Sequence, residues 1–247
     1  MNLDAVLQSG SAGVGYTALG IILTFLLGLG LSALFAVPGR AGLLVTVGTA
    51  ICGGSAIAAV GAAIRAKEEE MAIALGTVFC LNSLALFVFP LVGRELSMNP
   101  HQFGLWSALA IHDTSSVVGA AIQFGPEALQ TGTTVKLTRA LWIIPLTLVL
   151  GFFYSAEGER KVKLPWFILG FLGMTLLFNY VPELRPLGEG ITFLSKKTLL
   201  LTLYCIGLGL SVPLIRSVGI RPLLFGVVLW ISVSAGSLFL ILKDWLI

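Results

Sequence analysis

Hydrophobic residues occur in long blocks along this 247-residue chain, and short polar links separate the blocks. A helix needs about 20 apolar residues to cross the hydrocarbon core of a bilayer. Eight blocks come close to that length, at residues 13–36, 43–64, 71–92, 103–124, 140–154, 164–181, 191–210 and 223–242. The pattern predicts an all-α, polytopic transmembrane helical bundle that forms a single transporter domain over residues 1–247.

Two of the blocks contain small or polar residues that predict discontinuous helices. The second block contains the glycine pair Gly53–Gly54, and each glycine costs about 1 kcal/mol in a helix interior relative to alanine. The fourth block contains five consecutive polar residues, His112 to Ser116. A close helix-packing face is the alternative for the glycine pair, because small residues let backbones approach each other.

The polar run of the fourth block is the strongest candidate for chemistry. A charged side chain in hydrocarbon costs roughly 2.5–3.5 kcal/mol, so it is kept where it lines a cavity or has a partner. If the helix breaks at His112 and Asp113, both can line one cavity, and Thr114, Ser115 and Ser116 add hydroxyls. Freed amides and half-helix N-termini then favour an anion. The alternative is that His112 and Asp113 form a structural pair between helices.

The second block supplies the other half of the predicted substrate site. Its candidates are Thr49, Gly53, Gly54 and Ser55, which are small or hydroxyl-bearing residues around the expected break. Such residues bring backbone amides, rather than bulky side chains, to a ligand.

Two basic residues lie near the start of the fifth block. Lys136 and Arg139 are three positions apart, so a helix places them on one face. They either snorkel to the interface, which is the commoner fate of such residues, or supply fixed positive charge to the site. The predicted site includes both. An ionised Asp113 opposes anion binding, and protonation of Asp113, or its pairing with His112, Lys136 or Arg139, removes this conflict. A change in protonation there offers a route to proton coupling.

Internal similarity indicates a duplicated architecture. The pattern Ala-Ile-x-x-x-Ser occurs at residues 50–55 and again, sixty residues further along, at residues 110–115. The polar link at residues 2–10 also resembles the link at residues 211–219, and each precedes a long apolar block. Repeats of this kind are typical of secondary transporters. The pairing predicts that the chain begins part-way through its first repeat.

Composition excludes a soluble protein. Only 11% of residues are charged and 57% are hydrophobic, whereas soluble domains have about 25% charged residues. The net charge of +3 is too small to suggest a nucleic-acid partner. The charged run at residues 65–70 is interpreted as a solvated helix end. Asn82, in the middle of the third block, is interpreted as a hydrogen-bonding contact between helices.

Six stretches resemble the YeiH-type sulfate exporter family of bacterial inner-membrane proteins. They read GTAICGGSAIAA, KEEE, FGLW, AIHDTSSVVGA, KLTR and PWFILGF, and they begin at residues 48, 67, 103, 110, 136 and 165. The resemblance implies kinship with the sodium/proton antiporter and bile-acid symporter superfamily, whose members use inverted repeats and discontinuous helices. It implies a multi-pass inner-membrane protein that exports sulfate or a small sulfonate. Family members usually carry further spans before the position of Asn2, so this chain is expected to lack N-terminal spans.

The resulting expectation is a secondary transporter of a small anion that uses no cofactor and no bound metal. Expected partners are the anion, a coupling proton or sodium ion, the lipid bilayer and, in a homo-oligomer, further copies of the chain. One alternative is a cation/proton antiporter that uses Asp113 as its ion ligand. Another is a non-transporting membrane protein or fragment. An intramembrane enzyme is disfavoured, because the sequence has no second acidic cluster and no HExxH pair.

Overall fold

The computed structural model describes residues 3–37, 40–154 and 218–243, residue 245, and scattered residues between 170 and 204. The helices in the three long ranges are α1 (Leu3–Leu34), α2 (Ala41–Ala50), α3 (Gly54–Ala63), α4 (Glu68–Glu95), α5 (Pro100–Ala110), α6 (Thr114–Ala121), α7 (Pro126–Ala140), α8 (Ile143–Tyr154) and α9 (Ile220–Leu242). A 3₁₀ turn, Ile122–Phe124, follows α6. Most residues of the predicted blocks at 164–181 and 191–210, of the 165–171 motif and of the 211–219 link lie outside the described residues.

Four helical stretches of the described residues are long and apolar enough to cross a membrane, at Thr17–Leu34, Glu68–Glu95, Pro126–Tyr154 and Ile220–Leu242. This confirms the predicted helical membrane bundle.

Residues 127–137 are helical, so the fifth segment begins earlier than its apolar composition suggested. It comprises α7 and α8, with a kink before Pro145. Because proline has no N–H, the Leu141 carbonyl instead accepts from the Ile144 N–H at 3.2 Å.

The second predicted block folds into two antiparallel helices, α2 and α3, which form hairpin 1 (residues 41–63). Before α2, the backbone N–H of Arg40 donates to Glu70 at 2.8 Å, and the Arg40 guanidinium donates to the Ile64 carbonyl directly after α3. Both ends of the hairpin therefore lie beside the start of α4. Ten residues per helix give a length of about 15 Å, half of a hydrocarbon core about 30 Å thick. A hairpin of this length that enters from one side of the membrane is long enough for its tip, residues 51–53 (tip 1), to reach the middle of the bilayer.

The fourth predicted block forms hairpin 2 (residues 100–121) from α5 and α6. The ring of Phe103, near the start of α5, stacks on Phe124, just after α6, with 3.6 Å between centroids. A Cβ on Gly93, near the end of α4, would meet both rings within 2.9 Å. Hairpin 2 therefore opens at the C-terminal end of α4, and hairpin 1 opens at the N-terminal end. The two hairpins enter the membrane from opposite sides.

The middle of α4 shows that the two tips lie at one depth. Phe79 packs against Gly54, the first residue of α3. One helical turn further along α4, the Asn82 side-chain oxygen accepts from the backbone N–H of His112 in tip 2 (residues 111–113) at 3.1 Å. The interpretation of Asn82 as a contact between helices is confirmed.

Helices α7 and α8 cross in the direction opposite to α4. A Cβ on Gly104 would lie 2.7 Å from the Ala128 carbonyl oxygen, so α7 starts beside α5. At the far end of α8, the ring of Tyr154 lies 5.4 Å from the Arg40 guanidinium carbon, at the mouth of hairpin 1. Hairpin 1 with α4, and hairpin 2 with α7 and α8, therefore form two units of inverted topology.

The predicted repeat coincides with this symmetry. Helix α2 ends at Ala50 and α5 ends at Ala110, while α3 begins at Gly54 and α6 begins at Thr114. Both breaks thus occur at equivalent positions, sixty residues apart. The long helices α1 and α9 also correspond, because α1 packs along α2 and α9 packs along α5.

The charged run at residues 65–70 is a solvated helix end, as predicted. Lys67, Glu68 and Glu69 are exposed. Glu70 accepts from the Lys67 backbone N–H at 2.8 Å and closes the first turn of α4. Three carboxylates at a helix N-terminus also complement the helix dipole.

The two sides of the membrane can be distinguished by labelling single cysteines introduced at Lys67, Glu95 and Glu127 in a chain lacking its native cysteines. Hairpin 2 returns to its starting side, so we expect Glu95→Cys and Glu127→Cys to react with an impermeant maleimide from one side of sealed vesicles. Lys67→Cys is expected to react only from the other side. Labelling of positions 95 and 127 from opposite sides would show that residues 100–121 cross the membrane.

Candidate functional site

The tips of the two hairpins touch in the middle of the protein. A Cβ on Gly53, in tip 1, would lie 3.3 Å from the carbonyl carbon of His112 and 3.4 Å from the Asp113 Cβ. Gly53 has φ of 69° and ψ of −126°, a conformation that glycine adopts without steric cost. The two halves of the predicted site are therefore adjacent, and Gly53 makes the close approach possible.

Lys136 holds the C-terminal end of α5. Its ammonium donates to the carbonyl of Ile111 at 2.6 Å and to that of Ala108 at 3.3 Å. The last carbonyls of a helix have no intrahelical partners and carry the negative end of the helix dipole. Lys136 has 0% of its surface exposed, so these carbonyls, rather than water, accept the hydrogen bonds of its side chain.

Arg139 joins the two hairpins. One guanidinium nitrogen donates to the carbonyls of Ala108 at 3.1 Å and Leu109 at 2.6 Å in hairpin 2, and the other donates to Ala50 in hairpin 1. Only 2% of its surface is exposed. The planar, multi-donor guanidinium can hold carbonyls of both tips at once, which a lysine cannot do.

Snorkelling of Lys136 and Arg139, the commoner fate of such residues, does not occur. Both side chains point inward from α7 and lie at the tips. The remaining carbonyl at the end of α5, that of Ala110, accepts from the indole N–H of Trp230 at 3.1 Å. Sequence reasoning missed Trp230. The available signal was its position in the middle of the last apolar block, because a buried indole N–H needs a partner.

His112 is sealed inside the protein and does not line an open cavity. Its side chain is 1% exposed, and Nε2 lies 3.1 Å from the hydroxyl oxygen of Thr49. The Thr49 hydroxyl donates to the Val45 carbonyl at 2.9 Å, and this bond favours the tautomer in which His112 Nε2 donates to the Thr49 oxygen. His112 therefore joins the two tips, as in the structural alternative, although its partner is Thr49 rather than Asp113.

Asp113 caps the second half of the broken segment. One carboxylate oxygen accepts from the Ser116 backbone N–H at 2.8 Å, and the other accepts from the Ser116 hydroxyl at 2.7 Å. An aspartate at this position stabilises a helix N-terminus. Asp113 is half-buried, so it remains closer to a prospective ligand than His112 does.

The accessible parts of the tips are the N-terminal turns of α3 and α6. Ser55 is exposed and Gly54 is half-buried in the first turn of α3, and Thr114 and Ser115 are half-buried in the first turn of α6. The N-cap residue of α3, Gly53, has no side chain to cap the first turn. The Ala56 N–H donates to the Cys52 side chain, which leaves the Gly54 and Ser55 amides to donate to a ligand. In the described parts of the chain, no group of three or more His, Cys, Asp or Glu residues is placed to hold a metal ion.

The predicted site residues therefore divide into two layers. Accessible helix starts form the first layer, with Gly54, Ser55, Thr114 and Ser115, and Asp113 beside them. The second layer is buried and comprises Thr49, Gly53, His112, Ser116, Lys136 and Arg139. Contacts between the two hairpins are made by Thr49, Gly53, His112 and Arg139.

Comparison with known proteins gives a consistent family. Residues 1–226 match the family described as Conserved hypothetical protein 698. A UPF0324 membrane protein from Bdellovibrio bacteriovorus is 52% identical over 251 residues, which cover 100% of this chain and 77% of the relative. The chain belongs to this family of membrane proteins. A second UPF0324 membrane protein, from Bacteroides thetaiotaomicron, is 47% identical over 243 residues, covering 96% of this chain and 72% of the relative.

A third family member, from Geobacter sulfurreducens, is 45% identical over 245 residues, covering 99% of this chain and 78% of the relative. The chain thus spans about three quarters of the length of these UPF0324 relatives. No solved structure matches the chain.

Proposed function

We propose that the protein is a secondary transporter that binds a small anion between the two hairpin tips. The observation that carries the proposal is the polarity of those tips. Their C-terminal carbonyls are neutralised by Lys136 and Arg139, while the N-terminal turns of α3 and α6 remain accessible. The two buried cations outweigh the single Asp113 carboxylate, whose oxygens accept from Ser116, so a site at these helix N-termini favours an anion.

The topology supports transport rather than static binding. Inverted units with discontinuous helices that meet near the midplane are typical of secondary transporters, which expose such a site to each side in turn. The short helices of hairpin 1 lie between its tip and one side of the membrane. Those of hairpin 2 lie between its tip and the other side.

The resemblance to the YeiH-type exporters supports sulfate or a small sulfonate as the substrate and the bacterial inner membrane as the location. A tetrahedral anion with several oxygens can accept hydrogen bonds from amides and hydroxyls on two helix starts at once. We assign that role to the hydroxyls of Thr114 and Ser115, which are half-buried, and of Ser55, which is exposed and also contacts the Cys52 thiol and carbonyl. Copies of the chain in a homo-oligomer need contribute nothing to this site.

Flux of radiolabelled sulfate into proteoliposomes tests the proposal. We expect the chain to exchange external labelled sulfate for internal sulfate well above protein-free vesicles, with inhibition by a small sulfonate. Asp113→Asn keeps an oxygen that can cap Ser116, so we expect its flux to stay within about threefold of the unaltered chain. Asp113→Ala loses the cap, costs about 1 kcal/mol and lowers the flux further.

The same vesicles distinguish the antiporter alternative. A cation/proton antiporter that uses Asp113 as its ligand would give a sodium-dependent pH change that is insensitive to sulfate and abolished by Asp113→Asn. Absence of sulfate exchange together with that pH change would refute anion transport. Absence of both activities would favour a non-transporting membrane protein.

A further inference from the structure

The carbonyl ends of the broken helices are occupied by cations that belong to the chain. Lys136 and Arg139 together donate to the carbonyls of four residues, Ala50, Ala108, Leu109 and Ile111. In secondary transporters with broken helices, unwound backbone carbonyls and half-helix C-termini are the groups that coordinate a coupling sodium ion. Here an ammonium and a guanidinium already take those oxygens.

We propose that Lys136 and Arg139 take the place of a coupling sodium ion, so that anion binding and transport proceed without Na⁺. The inference rests on the proposed anion transport and adds the source of the counter-charge. A lysine ammonium is a compact point charge with three donors, and it can satisfy a set of carbonyls much as a bound alkali cation does. A metal cation placed beside it would be repelled by both fixed charges.

Because these two side chains are buried, they stay at the carbonyls in place of an ion. Lys136 is 0% exposed and Arg139 is 2% exposed, so neither can leave the carbonyls without separation of the tips. The nearby carboxylate of Asp113 is engaged by the Ser116 N–H and hydroxyl at 2.8 and 2.7 Å. Its two oxygens thus complete a helix cap, and the inverted unit offers glycine, Gly53, at the equivalent position.

The first test measures whether sodium binds the unaltered chain. Thermal unfolding of the full chain in detergent is followed in sodium, potassium and choline chloride at equal ionic strength. Because a ligand that binds only the folded state raises its stability, we expect the three midpoints to agree within about 1 °C. A midpoint in sodium that exceeds both others by more than this margin would overturn the inference.

The second test removes the ammonium. Lys136→Ala frees the Ile111 carbonyl in an enclosed space and leaves the Ala108 carbonyl with Arg139 as its one partner. We therefore expect sodium to raise the unfolding midpoint of this variant by about 3 °C over choline. Lys243→Ala, at the exposed end of α9, is the matched control and should show no sodium effect. If Lys136→Ala does not fold, Lys136→Gln is measured instead. A folded variant that is indifferent to sodium would contradict the idea that the ammonium replaces a metal cation.

Flux measurements separate this inference from the proposed function. Replacing sodium by choline on both sides of the vesicles should leave the sulfate exchange rate of the unaltered chain unchanged within about twofold. Sodium-dependent sulfate exchange would refute the inference and leave anion transport standing. Complete absence of sulfate exchange would refute the proposed function, while the unfolding midpoints would still report on sodium binding.

Discussion

Replacing Arg139 by methionine is expected to lower the unfolding midpoint of the protein by about 10 °C. The substitution keeps a long apolar stem and removes every donor. The carbonyls of Leu109 and Ala50 then lose the partner that the structure gives them, and each buried unsatisfied group costs about 1–3 kcal/mol. Ala108 retains its bond from Lys136. Scanning fluorimetry of the purified chain in detergent measures the shift.

Two further variants show whether the loss of stability in Arg139→Met comes from the lost hydrogen bonds. Arg139→Lys keeps the charge but cannot reach carbonyls in both hairpins, so we expect it to recover roughly half of the lost stability. Arg221→Met removes an arginine at the exposed start of α9 and should change the midpoint by less than about 1 °C. An Arg139→Met protein as stable as its parent would show that the link between the tips contributes nothing to stability.

Replacing Gly53 by alanine is expected to reduce sulfate exchange by roughly tenfold or more. The backbone at Gly53 has φ of 69° and ψ of −126°, which strains a residue with a Cβ by about 1–3 kcal/mol. The new methyl group would also meet the His112 carbonyl carbon at 3.3 Å and push the tips apart. Initial rates in proteoliposomes, corrected for the amount of folded protein, measure the effect.

The matched control for Gly53 is another glycine whose Cβ has open space. Gly30 lies in α1, and a Cβ there would meet nothing within 4 Å. Since alanine has the higher helix propensity by about 1 kcal/mol, Gly30→Ala should keep full exchange activity and equal or greater stability. Exchange by Gly53→Ala that matches Gly30→Ala would mean that the close contact of the tips has no role in transport.

The positions of both breaks could be predicted from the sequence because the residues there oppose a helix locally. Gly53 and Gly54 weaken helix propensity, and Asp113 followed by Ser116 is a helix-start pattern. The sixty-residue spacing of the two Ala-Ile-x-x-x-Ser motifs then indicated a duplication, and both motifs coincide with breaks in the structure. At each break the residues that oppose a helix lie within a few positions of one another, so recognising them needs no knowledge of tertiary contacts.

The sequence does not show that each of the two broken segments folds back on itself as a hairpin. A block of about 20 apolar residues fits one membrane crossing and equally fits two half-length helices. Likewise, the partners of Lys136 and Arg139 are backbone carbonyls, which every residue possesses, so no residue type reveals them. The inward direction of these two side chains, and the seal around His112, follow only from the packing of α7 against hairpin 2.

The cations at the tips are covalently part of the chain, which has an electrical consequence for the proposed transport. After a complete cycle Lys136 and Arg139 are back where they began, so they carry no net charge across the membrane, and a cycle that couples no proton moves the charge of the anion alone. For sulfate leaving a negative cell interior, the voltage contributes roughly 4.6 kcal/mol per 100 mV. The membrane voltage of a resting cell would then drive export of the anion without a gradient of another ion.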